Sequence, residues 1–417
     1  MILGNFTEQN LTKLLTLVVV IAVLFGYWGI LMLCAMEWLT RAKYATEASG
    51  KHGISSENAS RLGGALLAAA FGLAVLNGLL FTDVVVSSTD IRVASAIIVL
   101  TSFVGLLEDI NNGMLSPRLR LLLLSIIFII AFLYDPFLMP GYNTHSFLGL
   151  LVSVPLLGAL LCAAFTIGFI NAVNMADGAN GLMPGIALIS FFCFSVLSGS
   201  MSWVWSILTY VVALFTLFNV VSGRLFLGDC GSYAIGVLAV LGSFSGINNG
   251  ILSVGFLAAL FSYPCIEMVL SLYRRTKLGR SPFLPDNDHF HNRLNHFLKS
   301  RFSTALLANS GTGLAIACAT SGTVVCLLML DILPMDHAGW WSVFTGLAGL
   351  HIVLFTLLGN SAPRSVQFVV ESTSHEDPAR VCGVFRQGQT PVCCCPVSGR
   401  GINQCCEYCF RSQLACC

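Results

Sequence analysis

Five groups of polar residues interrupt an otherwise apolar chain, and each has the composition to handle an anion or a cation. The densest is Asn171-Ala-Val-Asn174-Met-Ala-Asp177-Gly178-Ala-Asn180-Gly181. Asn171, Asn174 and Asp177 recur at every third residue, so a helix would carry them on one face. Amide oxygens beside a carboxylate suit a hard cation or a polar ligand. A helix C-cap would account for one Asn or one Gly, but the segment holds three amides, an acid and two glycines within eleven residues. A second group, Gly105-Leu-Leu-Glu108-Asp109, ends an apolar run with adjacent acids. Paired carboxylates near a membrane interior are costly and repel each other, which a bound divalent cation or a shared proton offsets. A solvated helix end beside Arg118 and Arg120 is the plainer alternative.

The third group, Gly228-Asp229-Cys230-Gly231-Ser232, opens another apolar run. Free N–H groups and the helix dipole there favour phosphate oxygens, while Asp229 serves equally well as an N-cap. A fourth places His289, His291 and Arg293 in a basic stretch. The two imidazoles point the same way if the backbone is extended, and with the guanidinium they suit a sugar phosphate or a pyrophosphate. Zinc fits poorly, for want of an HExxH or of paired CxxC motifs. The fifth is Arg61-Leu-Gly63-Gly64, whose glycines permit close helix packing or ligand approach. Glu267, inside another apolar run and seven residues before Arg274, either lines the same cavity or pairs with a nearby cation.

The elements that position these groups are membrane spans. Of 417 residues 56% are hydrophobic and only 10% charged, with a mean hydropathy of +0.83, against about 25% charged in soluble domains. Counting segments of about 20 apolar residues gives an all-α, polytopic bundle of about eleven spans, near 14–36, 63–81, 91–107, 119–134, 147–170, 180–198, 203–222, 233–247, 250–273, 304–330 and 339–358. The first run is too long for a cleavable signal peptide. Loops 37–62, 108–120, 171–179, 223–232 and 274–303 hold 14 of the 21 Lys and Arg residues, and the opposite loops hold two. Positive loops face the cytosol, so the N-terminus lies outside, the C-terminus inside, and all five polar groups share the cytosolic face, as a single active site requires. A net charge of +1 gives no sign of a nucleic-acid partner. Seven of the 16 cysteines stand singly in apolar or helix-end settings and read as small buried hydrophobes. The other nine fall in a tail, 359–417, that matches nothing in the spans and is expected to be disordered. Its single Cys406-x-x-Cys409 is too little for a zinc site.

In order and content the motifs resemble those of the polyprenyl-phosphate N-acetylhexosamine-1-phosphate transferase family (glycosyltransferase family 4), from about residue 15 to residue 358. The resemblance implies a plasma (inner) membrane enzyme with its site on the cytosolic face. Its substrates would be a UDP-N-acetylhexosamine and polyprenyl phosphate, its surroundings membrane lipid, its metal Mg²⁺ or Mn²⁺. A homodimer stays open. It further implies that Asp229 and Asn174 bind the metal and that Asp177, Asn180 and Asn171 meet the nucleotide. Asp109, with Glu108 beside it, would position or deprotonate the lipid phosphate, and His289, His291 and Arg293 would bind the sugar and pyrophosphate. Two features depart from the family pattern. Glu108 replaces the first Asp of an Asp-Asp pair, and its longer side chain shifts the charge. The histidine motif has two histidines in place of three consecutive ones, which favours the GlcNAc-type branch (O-antigen or a related surface glycan) over phospho-MurNAc-pentapeptide transfer. A non-catalytic lipid or ion transporter is the rival from another class. It would place its acids near the bilayer midplane, with inverted repeats, and no repeat is apparent.

Overall fold

A computed structural model describes residues 26–41, 46–47, 59–81, 88–111, 114–140, 152, 154–199, 202–279, 281, 288–359, 383–387, 390–394 and 415–416. The expected first span falls partly outside them, as do residues 282–287 of the basic loop. The described residues up to 359 are helical almost throughout: α1 (26–41), α2 (Gly63–Phe81), α3 (Ser88–Ile110), α4 (Pro117–Tyr134), α5 (Pro155–Ala176), α6 (Leu182–Leu197), α7 (Ser202–Ser222), α8 (Gly228–Asn248), α9 (Val254–Leu260), α10 (Ser262–Lys277), α11 (Phe290–Lys299), α12 (Ala305–Ala317), α13 (Thr323–Met329) and α14 (Gly339–Gly359). Two-residue strands Thr46–Glu47 and Ala59–Ser60 pair antiparallel ahead of α2. Among the described residues seven helices are long and apolar enough to cross a membrane, eight if the bent pair α9–α10 counts as one span. Expected spans 63–81 and 180–198 correspond to α2 and to the shorter apolar helix α6.

The chain is a multi-pass membrane bundle, and its surface shows why. On α4, Leu122, Ile126, Ile130 and Leu133 form an exposed apolar stripe, while Leu124, Phe128, Ala131 and Phe132 are buried. A stripe at helical spacing that faces outward is suited to lipid, not water. The centre is α8, packed by α2, α3 and α5. Its glycines let neighbouring backbones approach, the usual device where lipid removes the hydrophobic drive between helices.

The bend of 74° between α9 and α10 has a sequence cause. Pro264 lacks an N–H and clashes with the carbonyl four residues back, that of Leu260. The freed Leu260 carbonyl accepts instead from the Ser321 hydroxyl at 2.7 Å, on a π-helical turn, Cys318–Gly322, between α12 and α13.

The C-terminal unit, Ser361–Cys417, is separate. Its described residues form three short strands, Gly383–Gln387, Thr390–Cys394 and Ala415–Cys416, in one small sheet. Most of the tail, where disorder is expected from composition, lies outside the described residues.

Candidate functional site

The site is assembled from helix ends. The entry to α2 runs beside the entry to α8: Ser60 N–H donates to the Arg224 carbonyl (3.0 Å), Gly63 N–H to that of Phe226 (3.1 Å) and Gly64 N–H to that of Leu227 (2.9 Å). A Cβ on Gly64 would collide with the backbone of Gly231. Gly228 has φ of +69°, and a Cβ there would meet the Arg61 carbonyl and the Asp109 carboxylate. Glycine is required at both points, one for close approach and one also for the left-handed backbone.

These contacts fix the first turn of α8, and with it Asp229. Asp109, at the C-terminal end of α3, is 2% exposed. One of its oxygens accepts the Asp229 N–H (2.9 Å) and the other accepts the Cys230 N–H (2.8 Å). Asp109 therefore caps α8 from another helix and satisfies two otherwise orphaned donors. The Asp229 side chain turns the other way, into an ion pair with Arg120 (Nη1 to Oδ2, 3.0 Å) and a hydrogen bond with the Asn174 side chain. Arg120 also bonds to the Tyr233 side chain. Arg61 acts electrostatically on both Asp109 and Asp229, and Glu108 on Asp229. Glu108 also accepts the Leu115 N–H at 3.3 Å. Arg120 was not foreseen as a site residue. It sits in the first turn of α4 beside Arg118, where the helix dipole disfavours cations, and that misfit was its signal.

Asp177, the C-cap of α5, stands half-buried beside this cluster. Burial first, and then the charges of Asp229 and Asp109, push its carboxyl up to about 7. Asp229, Asp177 and the Asn174 amide thus offer hard oxygen donors in a place where two carboxylates repel each other. That set fits a hard divalent cation that keeps waters and takes further oxygens from a substrate. Among the described residues no three His, Cys, Asp or Glu side chains cluster as a metal site, so an ion held here would complete its coordination with water and substrate oxygens.

Gly178 joins the acidic cluster to the histidines. The His291 ring lies against it so closely that a Cβ on Gly178 would stand 2.6 Å from the His291 Cδ2. His289 and His291 stack with ring centroids 5.2 Å apart, and both are buried. They rest on two side chains of α10. Glu267, fully buried, contacts His289 Nδ1 (2.9 Å), Arg274 (3.2 Å) and His351 Nε2 (3.1 Å). The Tyr263 hydroxyl lies 3.0 Å from His291 Nδ1. His351, a lone histidine in the apolar helix α14, carried no signal in the sequence.

The remaining expected site residues bond within the fold. The Asn171 amide donates to the Ile167 carbonyl of its own helix (2.7 Å). Asn180 is buried: its N–H donates to Asn309 Oδ1 (2.9 Å), while its side chain faces Ser310 (3.4 Å). Arg293 makes a two-pronged pair with Asp288, 2.6 Å on each side, and lies over the Phe355 ring on α14. The structure thus brings Asp229, Asn174, Asp177, Asp109 and Glu108 together and links them to His291 through Gly178. It turns Asn171, Asn180 and Arg293 to structural partners.

Residues 91–246 match the family model described as glycosyl transferase family 4. This segment includes the acids of α3, the Asn171–Gly181 segment and Asp229, but neither Arg61 nor the histidines. Over 133 residues the chain is 33% identical to the undecaprenyl-phosphate alpha-N-acetylglucosaminyl 1-phosphate transferase of Yersinia pestis, covering 29% of this chain and 36% of that protein. It is 30% identical over 163 residues to the decaprenyl-phosphate N-acetylglucosaminephosphotransferase of Mycolicibacterium smegmatis, covering 32% and 40%. It is 26% identical over 189 residues to the phospho-N-acetylmuramoyl-pentapeptide-transferase of Staphylococcus carnosus, covering 43% and 58%. The chain therefore spans less than two thirds of the length of each of these relatives.

Proposed function

Because residues 91–246 match the family model of glycosyl transferase family 4, we propose that the chain transfers an N-acetylhexosamine 1-phosphate from a UDP-sugar to undecaprenyl or another polyprenyl phosphate, at the cytosolic face of the plasma membrane. The observation that carries this reading is the convergence of Asp229, Asn174 and Asp177 at one end of the bundle, with Arg120 and Arg61 beside them and His291 against Gly178. Phosphoryl transfer between anionic partners is mainly a matter of positioning and charge neutralisation, and this end of the bundle supplies both.

In the reaction an oxygen of the lipid phosphate attacks the phosphorus that bears the sugar. The bond from that phosphorus to the bridging oxygen breaks, and UMP leaves with the bridging oxygen. The lipid phosphate is already ionised near neutral pH, so no strong base is needed. This accords with an Asp109 whose two oxygens are committed to the α8 backbone. Asp229, Asn174 and Asp177 are the residues to hold Mg²⁺ or Mn²⁺, which would neutralise the diphosphate and its developing charge. Arg120, paired with Asp229, is placed to release it and take a phosphate oxygen, as a planar guanidinium does well.

N-acetylglucosamine is the favoured sugar. The two GlcNAc-type relatives are 33% and 30% identical over 133 and 163 residues, against 26% over 189 residues for the pentapeptide-type one, and His289 and His291 form a two-histidine motif. The product would then begin a surface glycan such as O-antigen.

The test is UMP release by purified protein given UDP-GlcNAc, undecaprenyl phosphate and Mg²⁺, with and without EDTA. Lipid-dependent, EDTA-sensitive release is expected, together with its loss in Asp229→Asn while lipid binding persists. No release with any of a panel of UDP-N-acetyl sugars, by folded protein, would refute the reading. So would an Asp229→Asn variant that turns over normally.

A further inference from the structure

The two histidines do not hold themselves in place. His289 is the N-cap residue of α11 but makes no side-chain capping bond, so the first N–H groups of that helix need partners from elsewhere. They find them on α10. The Phe290 N–H donates to Glu267 Oε2 at 3.2 Å, and the His291 N–H donates to the Tyr263 oxygen. Tyr263 and Glu267 lie four residues apart and so face the same way. Each also grips one imidazole: Glu267 Oε1 receives His289 Nδ1 at 2.9 Å, and Tyr263 lies 3.0 Å from His291 Nδ1. Both are buried, Tyr263 at 1% and Glu267 at 0% exposure.

The hydrogen bonding sets the tautomer. The Tyr263 oxygen already accepts the His291 N–H, so its one proton is free to go to Nδ1 of the same residue. A phenol that accepts one bond and donates one is satisfied. His291 then carries its proton on Nε2, the ring edge nearest Gly178 and the Asp177 side of the site. That nitrogen becomes a fixed donor. The Glu267 carboxylate, by contrast, draws the proton of His289 to Nδ1. His351 Nε2 of α14 lies 3.1 Å from the second oxygen of Glu267.

We propose that Tyr263 and Glu267 are positioning residues: one turn of the broken helix caps α11 and presents the His291 Nε2–H as a donor towards the substrate's sugar-diphosphate. The proposal rests on the transferase reading above. Neither residue needs to touch substrate, and each acts through a histidine.

The experiment uses the full chain in lipid nanodiscs with Tyr263→Phe, which deletes one oxygen. Thermal unfolding checks that the variant folds. Expected is a loss of about five- to tenfold in kcat/KM for the UDP-sugar, the worth of one hydrogen bond, with the KM for lipid phosphate unchanged. In a His291→Ala background the same change should cost nothing further, since a residue acting only through His291 has nothing left to act on. Independently of turnover, acylation of His291 by diethyl pyrocarbonate, followed by mass spectrometry, should quicken severalfold in Tyr263→Phe. Glu267→Gln should do the same for His289.

An equal loss in both backgrounds would overturn the proposal. So would unchanged kcat/KM together with unchanged acylation. If the native chain released no UMP with any UDP-N-acetyl sugar, the transferase reading would fall by itself. The acylation rates would then decide the clamp, and equal rates in the native protein and Tyr263→Phe would refute it.

Discussion

Gly105 stands four residues before Asp109 on α3, where that helix crosses the first turn of α8. A Cβ there would lie 2.6 Å from the carbonyl carbon and oxygen of Asp229 and from the nitrogen of Cys230. These are backbone atoms and cannot rotate aside. Ordinary contact begins at 3.4 Å, so in Gly105→Ala the two helices must part by roughly 0.8 Å. The Asp109 bonds to the α8 backbone, now 2.9 and 2.8 Å, would then exceed about 3.5 Å and cease to be hydrogen bonds. Overpacking costs about 1–3 kcal/mol, and bonds to a charged group about 1.5 kcal/mol or more each. With partial relaxation the variant should lose about 3–5 kcal/mol. Because Asp229 moves with the first turn of α8, turnover should fall on the order of 100-fold, the usual consequence of a misplacement near 1 Å.

The control is Gly168→Ala on α5, where nothing lies within 4 Å of the added carbon. Alanine there gains up to about 1 kcal/mol in helix propensity, and turnover should not change. Both variants would be read by thermal unfolding in detergent and by UMP release. A Gly105→Ala protein as stable and active as Gly168→Ala would refute the close-packing argument and the placement of Asp229 built on it.

Two further outcomes follow from the acids. The Asp177 carboxyl, raised to about 7, is neutral below that pH and charged above it. Mn²⁺ affinity should therefore rise as pH climbs from about 6 to 8, approaching tenfold per unit on the acid side, where one proton is displaced. The metal-free fold should lose stability over the interval from 3.8 to about 7, because there the folded chain holds a proton that the unfolded chain has released. Paramagnetic resonance of Mn²⁺ titrated into native protein and Asp177→Asn checks the first point, and a flat native profile would contradict it. Asp109→Asn offers one acceptor oxygen where the α8 backbone uses two, so it should cost about 1–3 kcal/mol, seen as a lower unfolding midpoint. An unchanged midpoint with abolished turnover would place Asp109 on the substrate and not on α8.

The polar groups were legible in the sequence as intervals: Asn174 and Asp177 a helical turn apart, Asp229 at a helix entry, two histidines at alternate positions. Their gathering at one end of the bundle followed from charge asymmetry between loops. What each group touches was not legible. Asp109 accepts from backbone N–H groups 120 residues away, and backbone leaves no mark in a sequence. Nothing near Asn180 in the chain announces Asn309 and Ser310 as its partners. The broken span had a visible cause in Pro264, since a proline inside an apolar run marks a kink. Its consequence, that α10 turns Tyr263 and Glu267 towards the histidines, required the fold.

The site's two halves are held by different physics. The Asp229 half rests on backbone packed against backbone, with Gly64, Gly105, Gly228 and Gly231 removing the side chains that would keep α2, α3 and α8 apart. Such contacts have little freedom to adjust, which suits a cation site where small displacements are costly. The histidine half rests on side chains, Tyr263 and Glu267 on one helix and His351 on another. Their hydrogen bonds define direction and tautomer more than separation. The halves meet at Asp177 and Gly178, where the chain leaves α5 and the His291 ring takes the place a side chain would fill. A shift of α10 would reach the acids through this joint and through the packing of α10 on α5. The geometry separates the neutralising of phosphate charge, built into the packing of the helices, from the orientation of the sugar end, built into hydrogen bonds.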